Sequence, residues 1–354
     1  MFSTWKVSHI SGMECIAPLV TIHLSIVTYS NLFFNAEKIK NVLLYIKNDH
    51  EYYKSRPENK ILQYYAIQGS KIGFYHVSYI YSTLFAYLLL PTVQLVIVSS
   101  NHSEFKSLPV VVDFGMDLQQ YYYHLFIPVY ISIIMVVHVI ASCDNTYMVY
   151  VQHTYALFAI VNYKLKTIHI LDTNSFTDLM NERLIEKYNN IELSSVDKQK
   201  IFKKLVLCVK EHQNAIEYAN LVESLFSKSI LVQLFCNFII LTVSGVDTVT
   251  NLGVNTSNMT RSGALSFAQV IRIFILCLPG QRLLNHSEEL HAAVCETRWY
   301  NFPENCLNLY KFVLARSMIF SKITAFNMAV MSMATFQAII KTAMSYFTVL
   351  LSMK

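Results

Sequence analysis

The chain has 354 residues, of which 54% are hydrophobic and 14% charged. That balance excludes an ordinary soluble domain of this length and points to a membrane protein. The net charge of +5 calls for no nucleic acid partner, because the basic residues follow a membrane topology.

Runs free of Asp, Glu, Lys and Arg occur at 15–36, 72–103, 118–143, 229–246 and 323–340, and the stretch 262–284 is interrupted by Arg272 and, near its end, by Arg282. A helix needs about 20 such residues to cross a bilayer. Six crossings are expected, at 14–35, 73–99, 122–145, 227–246, 263–283 and 331–352. The fold class is therefore all-α, a polytopic helical bundle in lipid.

The connections alternate in charge. Residues 36–71 carry seven Lys and Arg, 161–228 carry ten and 282–326 carry five, whereas 100–121 carry only Lys106 and 247–262 only Arg261. Basic loops belong in the cytoplasm, which puts the three long connections inside and the two short ones outside. Glycosylation acceptors at Asn101, Asn255 and Asn258 fall on the outside loops. A fourth such triplet, at Asn285, falls inside and is a chance match.

Two helices are expected to outrun the membrane. From Leu118 to about Leu165 the chain meets no Gly, and no Pro after Pro128. The segment from about Asp197 repeats Ile201, Leu205, Cys208, Ile216, Ala219, Val222 and Phe226 at helical spacing before entering the next apolar run. Helices that leave the bilayer must pack on something, and residues 285–322 are the natural partner in a cytoplasmic bundle.

The last helix carries a polar stripe. Gln337, Lys341, Ser345, Thr348 and Ser352 recur at steps of four, four, three and four, one face of an otherwise apolar segment. Such a stripe is costly against lipid and should face a neighbouring helix or the water of a pore.

Other chemistry is thin. His291 and Cys295 lie four apart in HSEELHAAVC (286–295), but this is not the H-E-x-x-H of a zinc site. Eight glycines offer no phosphate-cradling loop. No enzyme signature and no cofactor site are found. None of the seven cysteines pairs with another for an extracellular disulfide. Arg272 should face the bundle, served by Asp247 or a backbone carbonyl, and Asp144 is read as a structural partner for a basic residue.

Several segments resemble the insect odorant receptor family. They are PGQRLLNHSEELHAAVCETRWYNFP (279–303), LARSMIFSKITA (314–325) and MSMATFQAIIKTAMSYFTVLL (331–351), preceded by VYVQHTYALFAIVNYKLK (149–166) and CVKEHQNAIEYANLVES (208–224). The resemblance covers about residues 14–354. Ser345-Tyr346 followed by five residues and Ser352-Met353 favours the odorant over the related gustatory branch, which ends in Thr-Tyr, five apolar residues and Gln-Phe.

The resemblance implies a heptahelical, odorant-gated, non-selective cation channel of inverted topology, in which this chain is an odour-tuning subunit. It would sit in the plasma membrane of olfactory sensory dendrites beside the odorant receptor co-receptor. It divides the chain into a ligand-binding bundle (1–283, with helix extensions over about 145–226), an anchor segment (284–326) and a pore helix (327–354). By register the family's gate falls on Val349, with Ser352 and Met353 at the outer mouth and Ser345 and Lys341 below. The family's odorant pocket, in the outer half of the bundle, maps to Ile16, Val20, Tyr87, Pro91, Phe126, Tyr130, Phe267 and Ile271. That mixture suits a small apolar odorant or hydrocarbon. A gustatory-type channel is the alternative. A G-protein-coupled receptor is a poorer match, since its Asp/Glu-Arg-Tyr and Asn-Pro-x-x-Tyr steps are missing from the sequence.

Six spans against the family's seven make 13–35 the counterpart of the family's second helix. The expectation is that the family's first helix lies upstream of an incompletely called Met1.

Overall fold

The computed structural model describes residues 2–101, 108, 118–168, 195–254 and 256–352. The described residues form eight α-helices: α1 (Phe2–Phe34), α2 (Ala36–Tyr53), α3 (Asn59–Asn101), α4 (Leu118–Lys166), α5 (Ser195–Thr250), α6 (Thr256–Glu296), α7 (Glu304–Ser317) and α8 (Met333–Ser352). A 3-10 turn, Trp299–Asn301, precedes α7, and a short hairpin of two-residue strands, β1 (Thr324–Ala325) with β2 (Ala329–Val330), precedes α8.

The six apolar stretches fall on α1, α3, α4, α5, α6 and α8. Among the described residues, Cys15–Phe34, His124–Lys166, Ser195–Thr250 and Asn258–Glu296 are long and apolar enough to cross a membrane. Three boundaries differ from the sequence reading. α1 begins at Phe2, a dozen residues earlier. The outer connection 247–262 shrinks to 251–255, because α5 runs to Thr250 and α6 starts at Thr256. The basic stretch 36–71 holds α2 and the first turns of α3. α2 forms because Ile39, Val42, Ile46 and Tyr53 share one helical face. Val42 and Tyr53 are buried, while the Lys and Asn residues between face outward.

The main core lies toward the end of the bundle that carries the basic connections. There α4, α5, α6 and α7 bring together Phe158, Leu165, Leu205, Ala215, Val294 and Val313. α4 runs through the middle. Every side chain from Tyr150 to Phe158 is buried, so this stretch is enclosed on all sides. Its polar groups each reach a different helix. Gln152 Nε2 donates to the Tyr65 carbonyl of α3 (3.2 Å). His153 Nε2 meets Asp49 of α2 (2.8 Å), and the Tyr155 hydroxyl donates to the Pro279 carbonyl of α6 (2.5 Å). The Tyr218 hydroxyl of α5 donates back to the Tyr150 carbonyl (3.2 Å). These bonds offset the cost of burying polar groups and fix the rotation of α4.

Two close approaches need glycine. Gly69 and Gly73, four apart on α3, meet Gln152 and Asn145 of α4, and a Cβ at Gly69 would come within 2.7 Å of Gln152 Cγ. This is the small-xxx-small seam that lets membrane helices pack backbone to backbone. Gly280, next to Pro279, lies against the backbone of Met331, and a Cβ there would stand 2.5 Å from Met331 Cβ.

Candidate pore helix and ligand region

α8 packs through one face only. Ala343 is buried, Phe347 lies over Gly245 of α5, Tyr346 meets Phe238 edge to face (5.8 Å), and Phe336 meets Phe274 of α6 in the same way (5.6 Å). Gln337, Lys341, Ser345, Thr348, Val349 and Ser352 are all exposed. At about 100° per residue the polar stripe is centred roughly 140° from the packed face. Among the described residues, the stripe is therefore no seam against the chain's own helices. The hydroxyls of Ser345, Thr348 and Ser352 donate to the carbonyls of Lys341 (3.1 Å), Ser345 (2.8 Å) and Val349 (2.8 Å). With their protons committed to the helix, these groups turn acceptor oxygens outward. Met353 lies outside the described residues.

The start of α8 is fixed by its neighbours. Gln281 of α6 accepts a hydrogen bond from the Met333 amide (3.0 Å), capping an otherwise orphan donor. Glu223 Oε1 of α5 accepts from both the amide (3.1 Å) and the hydroxyl (2.5 Å) of Thr324 in β1. One helical turn on, Ser227 accepts from the Phe326 amide (2.8 Å). Phe326 and Asn327 both have positive φ (49° and 58°), and the Met328 amide closes the turn on Ala325 (2.9 Å). The hairpin thus ties α8 to the extended part of α5.

The proposed ligand residues divide. Phe126 and Tyr130 stack at 4.1 Å, and the Tyr130 hydroxyl donates to the Leu88 carbonyl (3.3 Å) beside half-buried Tyr87. These three come together between α3 and α4. Pro91 is in α3, its side chain outside the described residues. Val20 packs with Leu24, Ile140 and Cys236. Ile271 is half-buried, whereas Phe267 (68% exposed) and Ile16 (36%) are on the outside of the chain. Of the glycosylation candidates, Asn101 ends α3 with its side chain undescribed, Asn255 lies outside the described residues, and Asn258 is half-buried in the first turn of α6.

Arg272 pairs with Asp144, correcting the assignment to Asp247. Arg272 Nη2 stands 3.0 Å from Asp144 Oδ2. Asp144 Oδ1, Arg272 Nε and the nearby His76 Nδ1 have no partner among the described residues. Asp247 instead accepts from Asn251 (2.9 Å), one turn ahead near the end of its own helix. Asp144 lies at the basic end of the span 122–145 and Arg272 at the middle of 263–283, whereas Asp247 lies near the outer end of α5. His291 serves structure, with Nδ1 on the Ser317 hydroxyl (2.9 Å) and Cys295 Sγ 3.7 Å from Nε2. No group of three or more metal-ligating side chains occurs among the described residues.

Beyond the expected spans, Lys164 is buried between Glu211 (2.5 Å) and Glu58 (3.1 Å). Burial pushes the Glu211 carboxyl above the usual range, and the Lys164 ammonium opposes it. Nothing in the sequence reading found this cluster, the Gly69–Gly73 seam or the Glu223 clasp. The seam was visible as G-x-x-x-G. The other two join residues at least 47 positions apart and leave no local signal.

Comparisons with known proteins agree with this architecture. The structure resembles that of the insect olfactory receptor OR5 from Machilis hrabei in complex with eugenol, with a TM-score of 0.77 over 98% of this chain and 82% of that one, at 13% identity. A second structure of that receptor gives 0.71 at 15% identity, with the same coverage. In sequence, 155 residues are 24% identical to odorant receptor 13a of Drosophila melanogaster, covering 41% of this chain and 37% of that protein. Another 146-residue match, 22% identical, is to the odorant receptor coreceptor of Anopheles gambiae, covering 41% of this chain and 30% of that protein. The matched stretch thus spans only about a third of these relatives. The profile described as 7tm Odorant receptor matches residues 13–344, nearly the whole length. This all-α membrane chain belongs to the odorant receptor family.

Proposed function

We propose that this chain is an odour-binding subunit of an odorant-gated cation channel that works beside a co-receptor subunit in the plasma membrane of olfactory sensory dendrites. The observation that carries the reading is α8. Its polar stripe and Val349 turn away from every helix that α8 packs on within the chain, and a stripe of hydroxyl oxygens in a membrane wants water or cations. Similarity to coreceptors supports a related chain as the partner across that face. The aromatic group Tyr87, Phe126 and Tyr130 is the part of the outer bundle suited to a small apolar odorant. The neighbouring fold that holds eugenol supports a small organic ligand of that kind.

Cysteine accessibility tests the proposal. In chain and co-receptor expressed together, Val349→Cys should be modified by a small polar thiol reagent applied from outside, and odour-evoked current should change at least twofold. Ala343→Cys, on the packed face, should not respond. Equal modification at both positions would show that α8 does not present this stripe to a pore. Odour-evoked current of the same size from this chain expressed alone would overturn the pairing.

A further inference from the structure

Three consecutive residues of α6 each hold a different part of the chain. The Pro279 carbonyl accepts the Tyr155 hydroxyl from the enclosed stretch of α4 (2.5 Å). Gly280 lies bare against Met331, a fully buried residue just ahead of α8. The Gln281 side chain accepts from the amide of Met333, the first residue of α8 (3.0 Å). Pro279 has no N–H to give the Ile275 carbonyl, so the hydrogen bonding of α6 itself is weakest where α4 and α8 rest on it. Gln281 is oriented by its own helix. Its Nε2 donates to Asn285 Oδ1 one turn on (2.7 Å), which leaves Oε1 facing the Met333 amide.

The lead into α8 is held by α5, through Glu223 and Ser227. Within the first turn of α8, Ser332 serves the Thr335 amide (3.4 Å). The Met333 amide, an orphan donor at a helix start, is served from α6. Three residues on, Phe336 meets Phe274 of α6 (5.6 Å). α6 also carries Ile271, the half-buried residue of the ligand region, about 15 Å before Gln281 along the helix. One helix therefore joins the ligand region to the start of the pore helix. A directional hydrogen bond and a close-packed contact at neighbouring positions keep α8 from sliding on α6 without breaking one of them. We propose that Gln281 is a positioning residue for the pore helix. With Gly280 it forms the joint through which a shift of α6 at the ligand region carries the start of α8. The proposal rests on the reading of α8 as the pore helix of an odorant-gated channel.

The test expresses the full chain with its co-receptor and applies eugenol, followed by a panel of small terpenes, phenols and esters. The maximal evoked current is divided by the number of copies at the cell surface, read by surface biotinylation. Gln281→Leu removes the acceptor at similar volume and should cut the current per surface copy at least threefold. Gln281→Glu keeps an acceptor for the Met333 amide at the positive end of α8 and should retain at least half of the unsubstituted current. Gly280→Ala drives a methyl group into Met331 and should cut the current per copy at least twofold. If Gln281→Leu does not reach the surface, Asn285→Leu loosens Gln281 without removing it, and the current per copy should fall at least 1.5-fold. A residue that only supports the fold would change the number of surface copies and leave the current per copy alone. That result, or a Gln281→Glu chain as impaired as Gln281→Leu, would overturn the joint and leave the channel reading standing. A pair silent to every probe would sink the channel reading, and the joint with it.

Discussion

From Tyr121 to Val139, α4 buries only Tyr122 among its described side chains, whereas from Tyr150 to Phe158 it buries every one. The exposed half reads almost wholly apolar, FIPVYISIIMVVHV, while the enclosed half, YVQHTYALF, carries Gln, His, Thr and two tyrosines. Hydrophobicity and burial therefore run in opposite directions along one helix. Where hydrocarbon is the solvent, apolar side chains gain little from being covered, and only backbone hydrogen bonding must be satisfied internally. Where water returns, α4 can persist only as the centre of a protein bundle, its polar groups each matched to one neighbour.

The contrast predicts unequal sensitivity at the two ends. The largest effect is expected at Lys164, which compensates two buried carboxylates. Lys164→Ala should destabilise the chain by about 3–5 kcal/mol, the usual cost of breaking a buried pair from one side. Glu211→Gln in the same chain should restore part of that loss. Thermal unfolding in detergent, followed by size-exclusion chromatography, reads both. A loss below about 1 kcal/mol, the range of exposed pairs, would mean that water already reaches this cluster, and the comparison would break.

A smaller effect should appear with pH. His212 is buried against Phe158 outside the expected spans, and burial, with Arg316 adding to it, pulls its pKa down to about 4. A depressed histidine stabilises the fold fully above its unfolded pKa of 6.5 and loses that contribution as pH falls toward 4. Glu211, whose pKa is raised, acts in the opposite sense, since its protonation on acidification relieves a buried charge. His212→Gln should therefore flatten the fall in melting temperature between pH 6.5 and about 4, and no such flattening would mean that His212 is hydrated. The smallest effect is expected on the outer arm. Ile131→Ala, on the exposed apolar face, should change stability by no more than about 0.5 kcal/mol, and a cost above about 2 kcal/mol, the range of core truncations, would show that protein, not lipid, covers this face.

The elements most legible in the sequence were those whose signal is local. The apolar runs, the start of α5 at the SSVDKQK stretch and the stripe of α8 all came from composition or spacing over a few turns. α2 was readable on the same grounds, from Ile39, Val42 and Ile46, but seven basic residues in 36–71 made the whole stretch look like loop. Asp144 and Arg272 were each noticed, yet their pairing was not, because 128 positions of chain separate them and only the packing of α4 on α6 brings them together. For the ligand region, the register supplied by family resemblance found the Phe126–Tyr130 stack. The same register named Phe267, which is exposed, and no local signal in α6 says which of its faces looks inward.

The enclosed stretch of α4 has a mechanical consequence. Clasped on four sides, it behaves as a fulcrum, and the helix has no proline between Pro128 and its end at Lys166 to bend it. Taken from Thr154 at 1.5 Å per residue, the arm to Tyr130 is about 36 Å long and the arm to Leu165 about 16 Å. A tilt that carries the Tyr130 ring by about 2 Å moves Leu165 by about 1 Å, less than a packed core needs to lose its fit. The helix is geared down toward the bundle at its basic end, so displacement at the outer arm reaches that bundle attenuated by half.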